Sequence, residues 1–458
     1  MAEQLIISIS GLRGIVGENL TPSIAAEYGC AFGTFLRCAS TREEQVLSVC
    51  IGWDSRSSGQ MLKSAVTAGL CAAGIDVIDL GLVTTPGVAV MVKKLRCSGG
   101  AMITASHNPI QYNGIKLLLG NAIAPPSHQA EQIKQYFFDK NFALVDSPNS
   151  GKVTADEHTD ANHIAAVLAL VEKQAIAAKK FRVVLDSVNG AGARVTTKML
   201  TELGCEVSAI NDEPTGLFAH PPEPTIENVK EVCEVVKAKQ AHVGFAQDPD
   251  ADRLAIVDEA GTYIGEEYTL ALAARYVFSK RTGKAATNLS TSRMLDDIAA
   301  GAGGQVIRTP VGEANVAEAM LEHDCIIGGE GNGGVIDLRV SPVRDSLVGI
   351  ALVLQLMAEM GKTVSQLARE LGGYYMTKEK FAVDQARTQQ ILDLAKETFT
   401  DAKLDTTDGC RFDFDDGWLH LRASNTEPIV RVIAEAKDQS TVRRYINDVL
   451  KIRNQVLG

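Results

Sequence analysis

The chain has 458 residues, of which 45% are hydrophobic and 22% charged, and its formal net charge is −11. This is the composition of a globular protein with roughly two to four domains and excludes a disordered one. The acidic balance argues against nucleic-acid or membrane partners, so an anionic substrate must meet positive charge that the fold gathers locally.

In chain order, the opening Met1-Ala2-Glu3-Gln4 and the Leu5-Ile6-Ile7 that follows lack the basic leader and long apolar region of a signal peptide. Met61 to Gly74 reads as a helix closed by glycine, followed by a strand over Ile75 to Leu80. Pro86 to Leu95 is helical with proline near its start, and Gly100 to Thr104 is a strand. The polar stretch Asp146 to Gly151 reads as a linker. The alternation returns with a strand at Arg182 to Asp186, a helix over Ala191 to Leu203 and a strand at Cys205 to Ile210. It returns again from about Tyr268, with helices near 266–280, 293–300 and 312–323. Leu347 to Met357 is the most apolar stretch; it contains Gly349 and Gln355 and is too short to span a bilayer, so it is expected to be a buried helix. The C-terminal part differs: Cys410 to Arg422 alternates around Asp415-Asp416-Gly417 as a hairpin, Ile429 to Ala434 is a strand, and Ser440 to Leu457 is a final helix. The pattern predicts three consecutive α/β domains with mixed, largely parallel sheets, plus a C-terminal α+β domain. The divisions fall at 1–150, 151–257, 258–372 and 373–458. The nine cysteines are scattered without a Cys-x-x-Cys pair, as expected of reduced core thiols in a cytoplasmic protein.

Four polar loops carry chemistry. Thr104-Ala105-Ser106-His107-Asn108-Pro109 follows a buried strand, where α/β folds place ligands. Its serine is a nucleophile only if a neighbour activates it or a phosphate is presented in line, and the same residues also make a plain turn. Asp248-Pro249-Asp250-Ala251-Asp252-Arg253 crowds three carboxylates onto one side of an extended segment. Their repulsion calls for a hard cation, and oxygen-only ligation suits Mg²⁺; a solvated acidic turn is the alternative. Gly328-Gly329-Glu330-Gly331-Asn332-Gly333-Gly334 admits a ligand close to the backbone, with Glu330 and Asn332 placed to bond sugar hydroxyls. Arg422-Ala423-Ser424-Asn425-Thr426-Glu427-Pro428 offers a guanidinium, hydroxyls, an amide and backbone N–H groups, the donor set of a phosphate nest. Arg13, between Gly11 and Gly14, and Lys116, ten residues beyond Ser106, are further cations that a solvent-facing role would explain as well.

These motifs, in this order and over nearly the whole length, resemble the α-D-phosphohexomutase family. The resemblance implies four domains around a central cleft and a phosphoserine at Ser106, with Mg²⁺ held by Asp248, Asp250, Asp252 and the Ser106 phosphate. It implies catalytic roles for Ser106, His107, Arg13 and Lys116, the last as a general acid/base if its pKa is lowered. Substrate contacts fall to Glu330, Asn332, Arg253, Arg422, Ser424, Asn425 and Thr426. The implied reaction interconverts hexose 6-phosphate and hexose 1-phosphate through a bisphosphate, with hexose 1,6-bisphosphate as activator and a small sugar phosphate as partner, in a monomer or homodimer. The opening Ser-Gly-Leu-Arg-Gly-Ile-Val-Gly looks closest to the phosphoglucosamine mutase branch, with phosphoglucomutase/phosphomannomutase as the alternative. Many members read Gly-Glu-x-Ser-Gly-His in the sugar loop, whereas Asn332 and Gly334 stand here, so a histidine contact at 334 is ruled out. A metal-dependent phosphatase and a non-catalytic sugar-phosphate-binding protein are the competing classes; the phosphate nest argues against the first, and the pairing of Ser106 with the aspartates against the second.

Overall fold

Small residues decide how the first layer packs. The helix Pro22–Ala39 starts where the Ile24 amide donates to the Thr21 hydroxyl at 3.4 Å, with proline in its first turn. It approaches the helix Gly59–Ala72 so closely that a Cβ on Gly69 would lie 2.8 Å from the Cys30 nitrogen. Phe32, Leu62, Val66 and Leu70 then meet Val49, Ile51, Ala101 and Ile103 of the sheet beneath in one buried core. The structure is a computed structural model and describes residues 5–8, 11–40, 46–423 and 429–458.

The first sheet has seven strands in the order Ile6–Ser8, Gly11–Ile15, Tyr112–Leu119, Gly99–Ile103, Ser48–Trp53, Asp76–Leu82 and Val153–Ala155. Its first three pairings are antiparallel and its last three parallel. The edge strand Val153–Ala155 pairs with Asp76–Leu82, so this sheet continues past the division expected at 150. Its three residues are all exposed and leave no burial pattern to read. The second sheet runs Leu254–Val257, Val243–Gln247, Arg182–Asp186, Glu206–Ile210, and the third Gln305–Thr309, Lys284–Asn288, Ile327–Glu330, Gly334–Ile336. Each is parallel except for one antiparallel edge strand. The last sheet is wholly antiparallel, with five strands from Lys403–Asp405 at one edge to Tyr375–Ala382 at the other, and its core is shared with the helices Gln385–Thr398 and Gln439–Leu457. The architecture is therefore three α/β layers followed by an α+β module.

The helix Ser346–Met360 is buried from Ser346 to Ala358 and ends at Gly361, whose φ of 60° suits glycine. The Asp345 carboxylate caps its start by accepting from the Leu347 and Val348 amides. Around this helix the second and third sheets share one continuous core, in which Phe181, Val183 and Phe245 join Leu270, Ile350 and Leu354. His163 and Asp345 close the junction with a buried contact of 2.7 Å. Among the described residues no single helix is long and apolar enough to cross a membrane.

The fourth module meets the third through polar contacts. The Arg293 amide donates to Glu435 at 2.8 Å, Lys378 pairs with Glu266 and Glu267 at 2.6 and 3.0 Å, and His420 Nδ1 lies 2.9 Å from the Ser290 hydroxyl. The Asp408 carbonyl, 2.6 Å from His420 Nε2, only accepts, so Nε2 carries the proton and Nδ1 accepts from Ser290. Burial pushes His420 down to about 4 from its ordinary 6.5. A depressed histidine binds its proton less readily in the folded chain, so its contribution is present above pH 6.5 and is lost as pH falls through 4. Urea unfolding from pH 7 to 4 should show the fourth module weakening across this window, and His420→Asn should flatten that dependence.

Candidate functional site

Ser106 sits in the loop joining the strands Gly99–Ile103 and Tyr112–Leu119, where the first sheet changes from parallel to antiparallel. It holds a φ of 49°, an uncommon left-handed conformation for serine that the surrounding loop must impose. Its amide donates to Thr104 Oγ1 at 2.8 Å, and its hydroxyl donates to Asp248 Oδ2 at 2.8 Å. The loop is shaped by Arg56, a buried residue that sequence reading passed over. Arg56 Nη2 donates to the Ser106 and Asn108 carbonyls at 2.7 Å each, and Nη1 to those of Pro109 and Tyr112 at 2.9 and 3.2 Å. Nε donates to Asp54 Oδ2 at 3.1 Å, so all five guanidinium N–H groups are used. Asp54 also accepts from Thr104 Oγ1 at 2.8 Å. The only hint in the sequence is Asp54-Ser55-Arg56 directly after an apolar strand.

Asp248, Asp250 and Asp252 lie in the corresponding turn of the second sheet, all fully buried, with Ala251 between them at φ 57°. Asp248 is held through both oxygens, Asp250 and Asp252 through one each. Asp248 Oδ1 accepts from the Asp252 and Arg253 amides at 3.0 Å each. Asp250 Oδ2 accepts from Thr85 Oγ1 at 2.6 Å and Lys116 at 2.7 Å. Asp252 Oδ2 accepts from Lys116 at 3.1 Å and Arg344 at 2.8 Å. Asp250 Oδ1 and Asp252 Oδ1 are buried without a partner, and ligand oxygens from all three residues lie within 4.8 Å of one another. Burial and the flanking Asp252 and Asp250 carboxylates push Asp248 well above the usual range. Hard oxygens, orphaned and mutually repelling, fit a divalent cation such as Mg²⁺.

The flanking cations differ from expectation in one respect. Burial disfavours the Lys116 ammonium, but Asp250 and Asp252 outweigh it and hold the pKa above its ordinary value, the opposite of the lowered pKa that a general acid/base role there would need. Its amine points at the aspartates, and Arg13 Nη1 donates to Asn108 Oδ1 at 2.8 Å. His107 Nδ1 lies 3.4 Å from Ser106 Oγ; burial, with Arg253 and Arg13 nearby, pushes it down to about 2, so its ring is neutral near pH 7. Arg253 pairs with Glu223 at 3.0 Å and leaves Nε buried without a partner.

In the glycine-rich loop of the third sheet, Glu330 is buried with both oxygens engaged. Oε1 accepts from Asn288 and the Gly312 amide at 2.8 and 3.2 Å, and Oε2 from Arg344 at 3.0 Å and, loosely, Asn332 at 3.4 Å. A further donor must therefore replace one of these to reach Glu330. Asn332 Oδ1 is buried with no partner and is the spare acceptor. Arg422 pairs with Asp408, Nε to Oδ2 3.2 Å, although the two are not aligned as a hydrogen bond. Ser424, Asn425 and Thr426 lie outside the described residues. The structure thus brings together Ser106, His107, the three aspartates, Lys116, Arg253 and Glu330; the described contacts do not join Arg422 to them.

Residues 5–144, 161–261 and 266–374 match the α/β/α domains I, II and III of phosphoglucomutase/phosphomannomutase, and 377–452 match its C-terminal domain. The chain is 40% identical over 452 residues to a phosphoglucomutase/phosphomannomutase of Thermococcus kodakarensis, covering 98% of each chain. It is 35% identical over 447 residues to a probable phosphoglucosamine mutase of Methanopyrus kandleri, covering 97% of this chain and 96% of the relative. A crystal structure of a phosphoglucomutase/phosphomannomutase family protein from Burkholderia thailandensis superposes with a TM-score of 0.86 at 27% identity, covering 98% of both chains.

Arg56→Met should cost about 3–5 kcal/mol in urea unfolding, because it strands the buried Asp54 and four loop carbonyls. Arg56→Lys should recover only part of this, since one ammonium cannot replace five fixed donors.

Proposed function

Because this chain belongs to the phosphoglucomutase/phosphomannomutase family and is a phosphohexomutase, we propose that it interconverts hexose 6-phosphate and hexose 1-phosphate through a phosphoserine at Ser106. The observation that carries this reading is the 2.8 Å hydrogen bond from the Ser106 hydroxyl to Asp248, which ties the serine to the turn whose other two aspartates each keep an oxygen without a partner. In the first transfer the bond from phosphorus to Ser106 Oγ breaks and a bond to the free sugar hydroxyl forms. The hydroxyl loses its proton, the serine oxygen gains one, and a hexose 1,6-bisphosphate results. After the intermediate turns, its other phosphoryl group passes to Ser106 by the reverse exchange.

Asp248, Asp250 and Asp252 would hold Mg²⁺, which when bound neutralises charge on the transferring group. Lys116 keeps its charge beside Asp250 and Asp252, and Arg13 braces the serine loop through Asn108. Positioned charge of this kind does most of the work in phosphoryl transfer. Neutral His107 is assigned to orienting the serine oxygen rather than to carrying a charge. Arg253 with its free Nε, Glu330 and Asn332 face the sugar; Arg422 with Ser424, Asn425 and Thr426 grips the phosphate that is not reacting. Added hexose 1,6-bisphosphate acts as activator by recharging Ser106. We place the enzyme in the cytoplasm as a monomer or homodimer, with glucosamine 6-phosphate as first substrate. Glucose and mannose 6-phosphates form the second reading, favoured by the 40% identical relative.

Phosphorus NMR with Mg²⁺, catalytic hexose 1,6-bisphosphate and each of the three 6-phosphates should show a 1-phosphate growing in. Ser106→Ala should abolish it, and the fastest sugar identifies the substrate. Inorganic phosphate as the sole product would mark a phosphatase and overturn the mutase reading.

A further inference from the structure

The glycine at 334 does more than exclude a histidine. A Cβ built there would overlap Cδ of Arg344 and stand 2.7 Å from its Cγ, so the Arg344 side chain occupies the space beside residue 334. Gly334 lies outside the left-handed region, so its lack of a side chain is needed for this space and not for its backbone. From this seat the guanidinium reaches three carboxylates on three segments. Nε donates to Glu313 at 2.7 Å, Nη1 to Glu330 at 3.0 Å and Nη2 to Asp252 at 2.8 Å, and the side chain is only 10% exposed.

The neighbouring residues fasten the same junction. Ser346 grips the Ala251 carbonyl through its hydroxyl at 2.6 Å and its amide at 3.2 Å, and the Leu254 amide donates to the Gly333 carbonyl at 3.0 Å. The metal loop and the sugar loop are thus joined at their bases by backbone. At their working ends Arg344 joins them.

We propose that Arg344 is a positioning residue for the sugar, fixing Glu330, and through it Asn332, against the metal loop from the space that glycine at 334 leaves. The inference rests on the phosphohexomutase reading. A planar fork with donors in set directions does this where a lysine cannot, because one ammonium cannot face three acceptors in different directions. Arg344 acts through Glu330 and Asp252, so its loss should be felt in recognition of the ring more than in the grip on phosphate.

The test is a double-mutant cycle of Arg344→Met and Gly334→Ala, with Arg344→Lys alongside. Each single change should raise KM for the hexose 6-phosphate about 10–100-fold, the range seen when a group orienting a ligating side chain is removed. kcat should move less, discrimination among glucose, mannose and glucosamine 6-phosphates should narrow, and affinity for inorganic phosphate should stay unchanged. The double variant should be no worse than either single one, because both remove the same arrangement. Gly334→Ala retains all the charges and reads the seat even if Arg344→Met does not fold. Wild-type KM and discrimination in Gly334→Ala and Arg344→Lys, or effects that multiply in the double variant, would overturn the proposal. If the unmodified enzyme turns over no hexose phosphate, the functional reading fails. The same cycle read in thermal unfolding still reports whether Arg344 occupies the space at 334, and additivity there overturns the inference independently.

Discussion

Three carboxylates buried in five residues of chain repel one another, and the rest of the site is arranged around that repulsion. Asp248, Asp250 and Asp252 have no exposure to water that would screen them. Asp248 is stabilised by backbone amides and the Ser106 hydroxyl, and the other two through one oxygen each by Lys116, Thr85 and Arg344. The donors come from separate parts of the chain, so the cluster can form only when the first three sheets are in place. What remains uncompensated is one buried oxygen each on Asp250 and Asp252, a donor set that suits a cation.

The same topological device places each loop. In all three α/β sheets the site loop is the connection at which a parallel run of strands turns back antiparallel: after Gly99–Ile103, after Val243–Gln247 and after Ile327–Glu330. A strand end in a parallel sheet already faces the ligand side. Returning through a tight antiparallel partner keeps the loop short and its backbone fixed. This explains how Ser106 and Ala251 can be held at positive φ without glycine.

The strand and helix alternation, the serine loop and the aspartate loop were legible because each is written locally, as a polar motif directly after a buried strand. Arg56 was not, because its partners are carbonyl oxygens, which every residue owns and no sequence pattern marks. Arg344 was hidden for a related reason. The sequence shows glycine at 334, but only the packed chain shows which side chain, ten residues on, fills the space it leaves. The charge state of Lys116 depends on two aspartates more than 130 residues away, so the direction of its pKa could not be read from the loop that holds it. The edge strand past residue 150 is short and exposed at every position, which removes the alternation that would have announced it.

The core shared by the second and third sheets has a consequence for what a domain means in this molecule. Sequence comparison separates 161–261 from 266–374 without difficulty. The helix Ser346–Met360 nevertheless buries itself among side chains from both, and the His163–Asp345 contact crosses between them. Neither segment would keep its apolar surface dry if cut free. They match two domain models and share one core, whereas the last module has a core of its own and polar contacts to its neighbour.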